Sequence, residues 1–126
     1  MRGLAAVCGF DPLRLDTASR GVEGIRHYSH LHGLIPRLGF FVGQESRVPF
    51  DFDAVLALAA PRSVMLVAPT LDRYARIDDV RAEVAEAGKA WKVEGNDSGL
   101  VFETPRDFNR FGRLSQERVF DWLARQ

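Results

Sequence analysis

Ser63-Val-Met-Leu-Val-Ala68 is a continuous apolar run closed by Pro69, and it decides the fold. An unbroken run of this length, rich in β-branched residues, reads as a strand buried on both faces. The residues that follow change period. After the loop 70–76, Ile77, Val80, Val84, Ala87 and Trp91 recur at spacings of three and four, which is one face of an amphipathic helix. Asp78 and Asp79 stand at its positive end and Lys89 and Lys92 at its negative end, as the helix dipole favours. The turn Gly95-Asn-Asp-Ser-Gly99 then leads to a last short strand, Leu100–Glu103.

Outward from this unit, the same alternation continues. Leu4–Cys8 is a short apolar run ending at Gly9 and reads as another buried strand. Ile25–Leu34 suits a short helix stopped by Gly33 and Pro36. The stretch 34–48 is irregular, punctuated by Pro36, Gly39 and Gly43, with Phe40 and Phe41 as anchors. Asp51 or Asp53 caps a helix over 54–60 that Pro61 ends. Beyond the loop 105–112, Ser115 caps a closing helix whose buried face is Val119, Trp122 and Leu123.

Strands alternating with helices imply an α/β fold, here a parallel sheet of about three strands flanked by helices. Its 126 residues suggest a single domain over 1–126. About 54 residues separate the first two strands, and so long an excursion reads as a lid or pocket wall, placed at 10–50.

Composition removes several classes of function. Seventeen basic residues balance seventeen acidic ones, so nothing argues for nucleic acid. No run is long enough to span a bilayer, so no membrane association is expected. Cys8 is the single cysteine, which excludes an intrachain disulfide; a cytoplasmic, reducing setting is the default expectation, and Cys8 reads as a small buried thiol. His27, His30 and His32 form His-x-x-His-x-His, and two of them three apart could share a helix face. Only Glu23 and Glu45 stand by as further ligands, so ordinary histidines on a lid helix are the preferred reading, with no metal and no cofactor.

Several segments together resemble the C-terminal part of bacterial α/β-hydrolases of the dienelactone hydrolase and acetyl-xylan-esterase-like group. They are Phe10-Asp-Pro-Leu-Arg14, Tyr28-Ser-His-Leu-His32, Pro36-Arg-Leu-Gly-Phe-Phe41, Ala60-Pro-Arg62, Val67-Ala-Pro-Thr-Leu-Asp72, Asp107-Phe-Asn-Arg-Phe111 and Gln116-Glu-Arg-Val-Phe-Asp-Trp-Leu123. The resemblance covers nearly the whole chain, whereas the chain covers less than half of such a domain. It implies that Asp72 holds the position of the triad acid, that the triad histidine belongs at Asn109 or Arg110, and that His30, His32, Phe40 and Phe41 line a substrate pocket. It implies a small-molecule ester as substrate once an upstream segment completes the site.

Two members of the triad are missing from the residues themselves. No Gly-x-Ser-x-Gly occurs, and no histidine follows His32. Asparagine does not titrate and arginine stays charged, so neither replaces the base. Two functions remain open: the rear portion of a carboxylic-ester hydrolase, inactive alone, or a non-catalytic interaction or regulatory module on a hydrolase-like scaffold. An open sheet edge beside residues 4–8 would invite a homo-oligomer.

Overall fold

A computed structural model of the chain describes residues 3–9, 12–15, 17, 19, 25 and 35–126. Strand β1 (Gly3–Val7), helix α1 (Phe52–Ala57), strand β2 (Ser63–Val67), helix α2 (Ile77–Val93), strand β3 (Leu100–Glu103) and helix α3 (Arg113–Ala124) follow one another in the chain. The strands form one parallel sheet in the order β1-β2-β3. Gly3 stands opposite Ser63 and Val7 opposite Val67, while Val64 stands opposite Leu100 and Val67 opposite Glu103.

Strand alternation divides the core into two layers. Val64, Leu66 and Ala68 of the β2 segment point to one face and meet Leu56 of α1 and Val80, Val84, Ala87 and Trp91 of α2. Met65 and Val67 point to the other and meet Val119 and Trp122 of α3, with Ala5, Val7 and Val101 alongside. Both crossover helices lie on one face because the sheet grows in one direction, and crossovers of one hand then turn the same way. β2 is central and its residues 64–67 are all buried, which is why its run of apolar residues is unbroken.

The end of α2 is locked locally. Asn96 N–H donates to the Trp91 carbonyl and Gly95 N–H to that of Lys92, the paired bonds of a Schellman ending. Gly95 has φ +72, where a side chain would be strained. Trp91, 1% exposed, donates its Nε1–H to the Arg62 carbonyl at 2.9 Å, and Asn96 Nδ2 donates to that of Pro61 at 2.7 Å. Gly99 sits so close that an added Cβ would lie 2.5 Å from Trp91 Cδ1.

A third cluster holds the described part of the insertion: Leu13, Ile25, Leu38 and Val48, with Phe41 and Phe50 against it. Asp51 ties this cluster to the sheet domain. Its carboxylate is fully buried and accepts from three main-chain amides, Leu13 at 2.9 Å, Arg14 at 2.8 Å and Phe52 at 2.8 Å. It is both the α1 cap and a long-range tether.

Three expectations are corrected in detail. α1 spans Phe52–Ala57 and not 54–60, because Asp51 rather than Asp53 is the cap. α3 starts at Arg113 after Gly112, and Ser115 lies inside its first turn. Ser115 precedes Val119 by four residues and Trp122 by seven, so it falls on the buried stripe and not at the cap. Phe40 anchors nothing: it is 77% exposed, while Leu38, two residues earlier, is the buried side chain. The expected helix 25–34 lies, apart from buried Ile25, outside the described residues.

Candidate functional site

Parallel sheets present their loops, and hence their chemistry, at the carboxyl ends of the strands. Here three such ends meet. Cys8 follows β1, residues 68–76 follow β2, and residues 104–112 follow β3. The latter two loops are joined by main-chain bonds that continue past the sheet. Thr70 N–H donates to Pro105 at 2.9 Å and Leu71 N–H to Asp107 at 3.0 Å.

This joining sets Asp72 against Asn109. Asp72 Oδ2 accepts from Asn109 Nδ2 at 2.8 Å, across 37 residues of chain. The other oxygen, Oδ1, accepts from Tyr74 N–H at 2.8 Å, closing a local Asx turn that fixes the carboxylate's direction. Arg73 leans on its neighbour, its guanidinium 4.6 Å above the Tyr74 ring and hydrogen-bonded to the phenol oxygen. Arg110 turns away to Asp107, with Nε 2.9 Å from Oδ1. That bond, with a second from the Phe108 amide, holds the Asp107 carboxyl below the usual carboxylate range. Of residues 109 and 110, Asn109 is the one that meets Asp72, and Arg110 pairs with Asp107.

Cys8 lines one cleft with Asp72. It has φ +59, an uncommon conformation for a residue with a side chain. It is half-buried rather than buried, and its Sγ lies 3.6 Å from the Arg110 carbonyl, to which the thiol donates. Burial pushes its pKa up, and the carboxylates of Asp72 and Asp107 push it the same way. The thiol is therefore held protonated, which is the opposite of an activated nucleophile. Cys8, Asp72, Pro69, Ala75, Ile77 and Val80 enclose a cleft with room for a water-sized occupant.

His30 and His32, like His27, lie outside the described residues. Phe40 and Phe41 belong to a 3-10 turn over Leu38–Phe41; Phe40 points to solvent, Phe41 packs on the insertion cluster, and neither lines the cleft. Glu45, weighed as a metal ligand, is buried and accepts from Gly43 N–H at 2.8 Å. Among the described residues, no group of three metal-ligating side chains converges.

One acidic contact escaped the sequence reading. Glu83 of α2 accepts from the Asp53 main-chain amide at 3.1 Å, at the start of α1. Burial, followed by the nearby carboxylates of Asp51 and Asp53, raises its carboxyl to about 7. No local sequence signal joins positions 53 and 83; only the packing of α1 on α2 does.

Chemically, the Asp72–Asn109 pair has the shape of an acid orienting a neighbouring N–H, but the Asn109 amide takes up no proton. An amide nitrogen donates and cannot accept. No family model matches the chain, and no curated protein is similar enough to it to count as a relative. Among the described residues, no helix is long and apolar enough to cross a membrane.

Proposed function

We propose that these residues are the C-terminal portion of a carboxylic-ester hydrolase of α/β-hydrolase type, inert by itself. In this reading Asp72 occupies the acid position, Asn109 stands where a catalytic histidine would, and the nucleophilic serine belongs to other polypeptide. The observation that carries it is the 2.8 Å bond from Asn109 Nδ2 to Asp72 Oδ2 at the carboxyl ends of adjacent parallel strands. An acid after one strand, facing a residue after the next, is the relation by which such an enzyme fixes its imidazole tautomer. The resemblance of the surrounding segments supports the same assignment, and the compartment would be a reducing one, the cytoplasm.

The amide keeps the geometry and loses the chemistry. Asn109 donates to Asp72 as an imidazole N–H would, but it takes no proton from a hydroxyl. Arg110, committed to Asp107, offers no substitute. The chain alone should therefore leave p-nitrophenyl acetate at the buffer rate.

The test is co-expression with the polypeptide encoded immediately before Met1. Turnover of p-nitrophenyl acetate that appears in the pair when Asn109→His restores a base, and falls when Asp72→Ala is added, supports the reading. Turnover by the chain alone, or turnover in the pair indifferent to Asp72→Ala, overturns it.

A further inference from the structure

Among the described residues, one buried side-chain oxygen lacks a hydrogen-bond partner: Asp53 Oδ1, in the first turn of α1. A buried acceptor left without a donor is unfavourable, so the joint around it calls for one. The Asp53 main-chain amide already donates to Glu83 Oε2 of α2 at 3.1 Å. The two side-chain carboxyl groups also stand within hydrogen-bond reach of each other. Carboxylates only accept, so as ions they face each other with no bond between them. A proton on one of them turns the contact into an O–H to O bond and supplies the missing donor.

Among the described residues, no cation serves instead. The nearest further charge is negative: Asp51, whose fully buried carboxylate accepts from the amides of Leu13, Arg14 and Phe52. Arg14 turns its guanidinium Nε to the Val48 carbonyl at 3.0 Å. On α2, Arg81 donates to Thr104, Arg76 pairs with Asp79 and Lys89 pairs with Glu86. Burial, followed by the Asp51 carboxylate, lifts the Glu83 carboxyl to about 7, which puts the proton on Glu83.

We propose that Glu83 and Asp53 share one proton across the α1–α2 joint, and that losing it unclasps the insertion from the sheet domain. The step is a proton transfer from the Glu83 carboxyl to water, with no other bond made or broken. It leaves three negative groups at the start of α1, where Asp51 grips Leu13 and Arg14. Leu13 is part of the cluster with Ile25, Leu38 and Val48, so the grip on it seats the described insertion. Leu13 and Arg14 also follow closely on Cys8, so the clasp bears on the chain that leaves the cleft.

The direction with pH follows from where the proton is held. The seated chain binds it more tightly than the opened chain. Its contribution is therefore whole below about 4.5, shrinks as pH rises through about 7, and is gone above. The insertion is clasped in acid and loosened in alkali.

Amide hydrogen exchange of the full chain, followed by NMR at about pH 5 and about pH 8, tests it. Protection at Leu13 and Arg14, corrected for the intrinsic rate at each pH, should fall roughly tenfold across this range, less than the full linkage because the pair is partly exposed. In Glu83→Gln the side-chain N–H donates to Asp53 Oδ1 at every pH, so protection should stay at its acid level. Asp53→Asn offers an N–H to the Glu83 carboxylate and should flatten the profile as well, which keeps the test valid if one variant does not fold. Protection at 13 and 14 that does not change with pH in the wild type overturns the clasp. An equal fall in the variants overturns it too. Neither result depends on ester turnover, so the clasp and the hydrolase reading fail separately.

Discussion

Asp51→Ala should be among the most destabilising substitutions in this chain. The carboxylate is fully buried and accepts from Leu13, Arg14 and Phe52. A hydrogen bond to a charged group contributes roughly 1.5–3 kcal/mol, and a buried donor left without a partner costs about 1–3 kcal/mol. The Phe52 amide, in the first turn of α1, can turn to water, whereas Leu13 is buried at 5% exposure. Because the three bonds share one group they do not add, and the expected loss is about 3–5 kcal/mol. Two further variants separate the roles. Asp51→Ser keeps a local cap, worth about 1 kcal/mol, but is too short to reach residues 13 and 14. Asp51→Asn keeps one acceptor oxygen but turns an N–H toward the Arg14 amide, so it should fall between wild type and alanine. Urea unfolding followed by fluorescence reads all three, since Trp91 and Trp122 are 1% and 7% exposed. The reasoning is refuted if Asp51→Ala lies within about 1 kcal/mol of wild type, below any loss expected for a buried charged acceptor. It is equally refuted if Asp51→Ser matches wild type, for then the tether to 13 and 14 contributes nothing.

Other substitutions probe other joints. Gly99→Ala should cost about 1–3 kcal/mol in urea unfolding, because the new methyl lies 2.5 Å from Trp91 Cδ1 and 2.5 Å from Asn96 Nδ2, both fixed by hydrogen bonds; an unchanged midpoint would contradict the packing. Glu83 has a folded pKa of about 7, above its ordinary 4.5, so the folded chain holds a proton that the unfolded chain has lost. Its contribution to stability is therefore present below about 4.5, falls as pH rises to about 7, and is flat above; Glu83→Gln should remove this fall, and curves that stay parallel across the window would contradict it. Cys8 alkylation by iodoacetamide should titrate above the usual 9.0 and move down in Asp72→Asn, whereas a thiolate at neutral pH would show that burial does not govern the site.

Much of the framework was legible because it is local. β2 has an unbroken apolar run since both faces of a central strand are covered, and α2 shows its stripe because only one face is. That the strands run parallel followed from their alternation with helices. What stayed hidden depends on contacts between distant positions. Asp51 read as a cap, but its bonds to Leu13 and Arg14 span 38 and 37 residues. Ser115 has the chemistry of a cap, yet the buried stripe of α3 claimed it. Phe40 and Phe41 looked equivalent in sequence, and a tight turn sent one outward and the other in. At the site, only the resemblance set Asp72 beside residue 109 or 110; the contacts that join Asp72 to Asn109 and Arg110 to Asp107 span loops after two different strands or depend on local turns, and no pattern in the residues themselves announces them.

The central claim is that Asp72 and position 109 stand as an acid facing the place of a base. Asn109→His tests it by proton NMR titration of the new imidazole, followed through its ring protons and compared with Asn109→His in an Asp72→Asn background. A carboxylate at hydrogen-bond distance stabilises imidazolium, so the titration should lie above the ordinary value of about 6.5 and return toward it when Asp72 is neutralised. The same midpoint in both backgrounds would contradict the account.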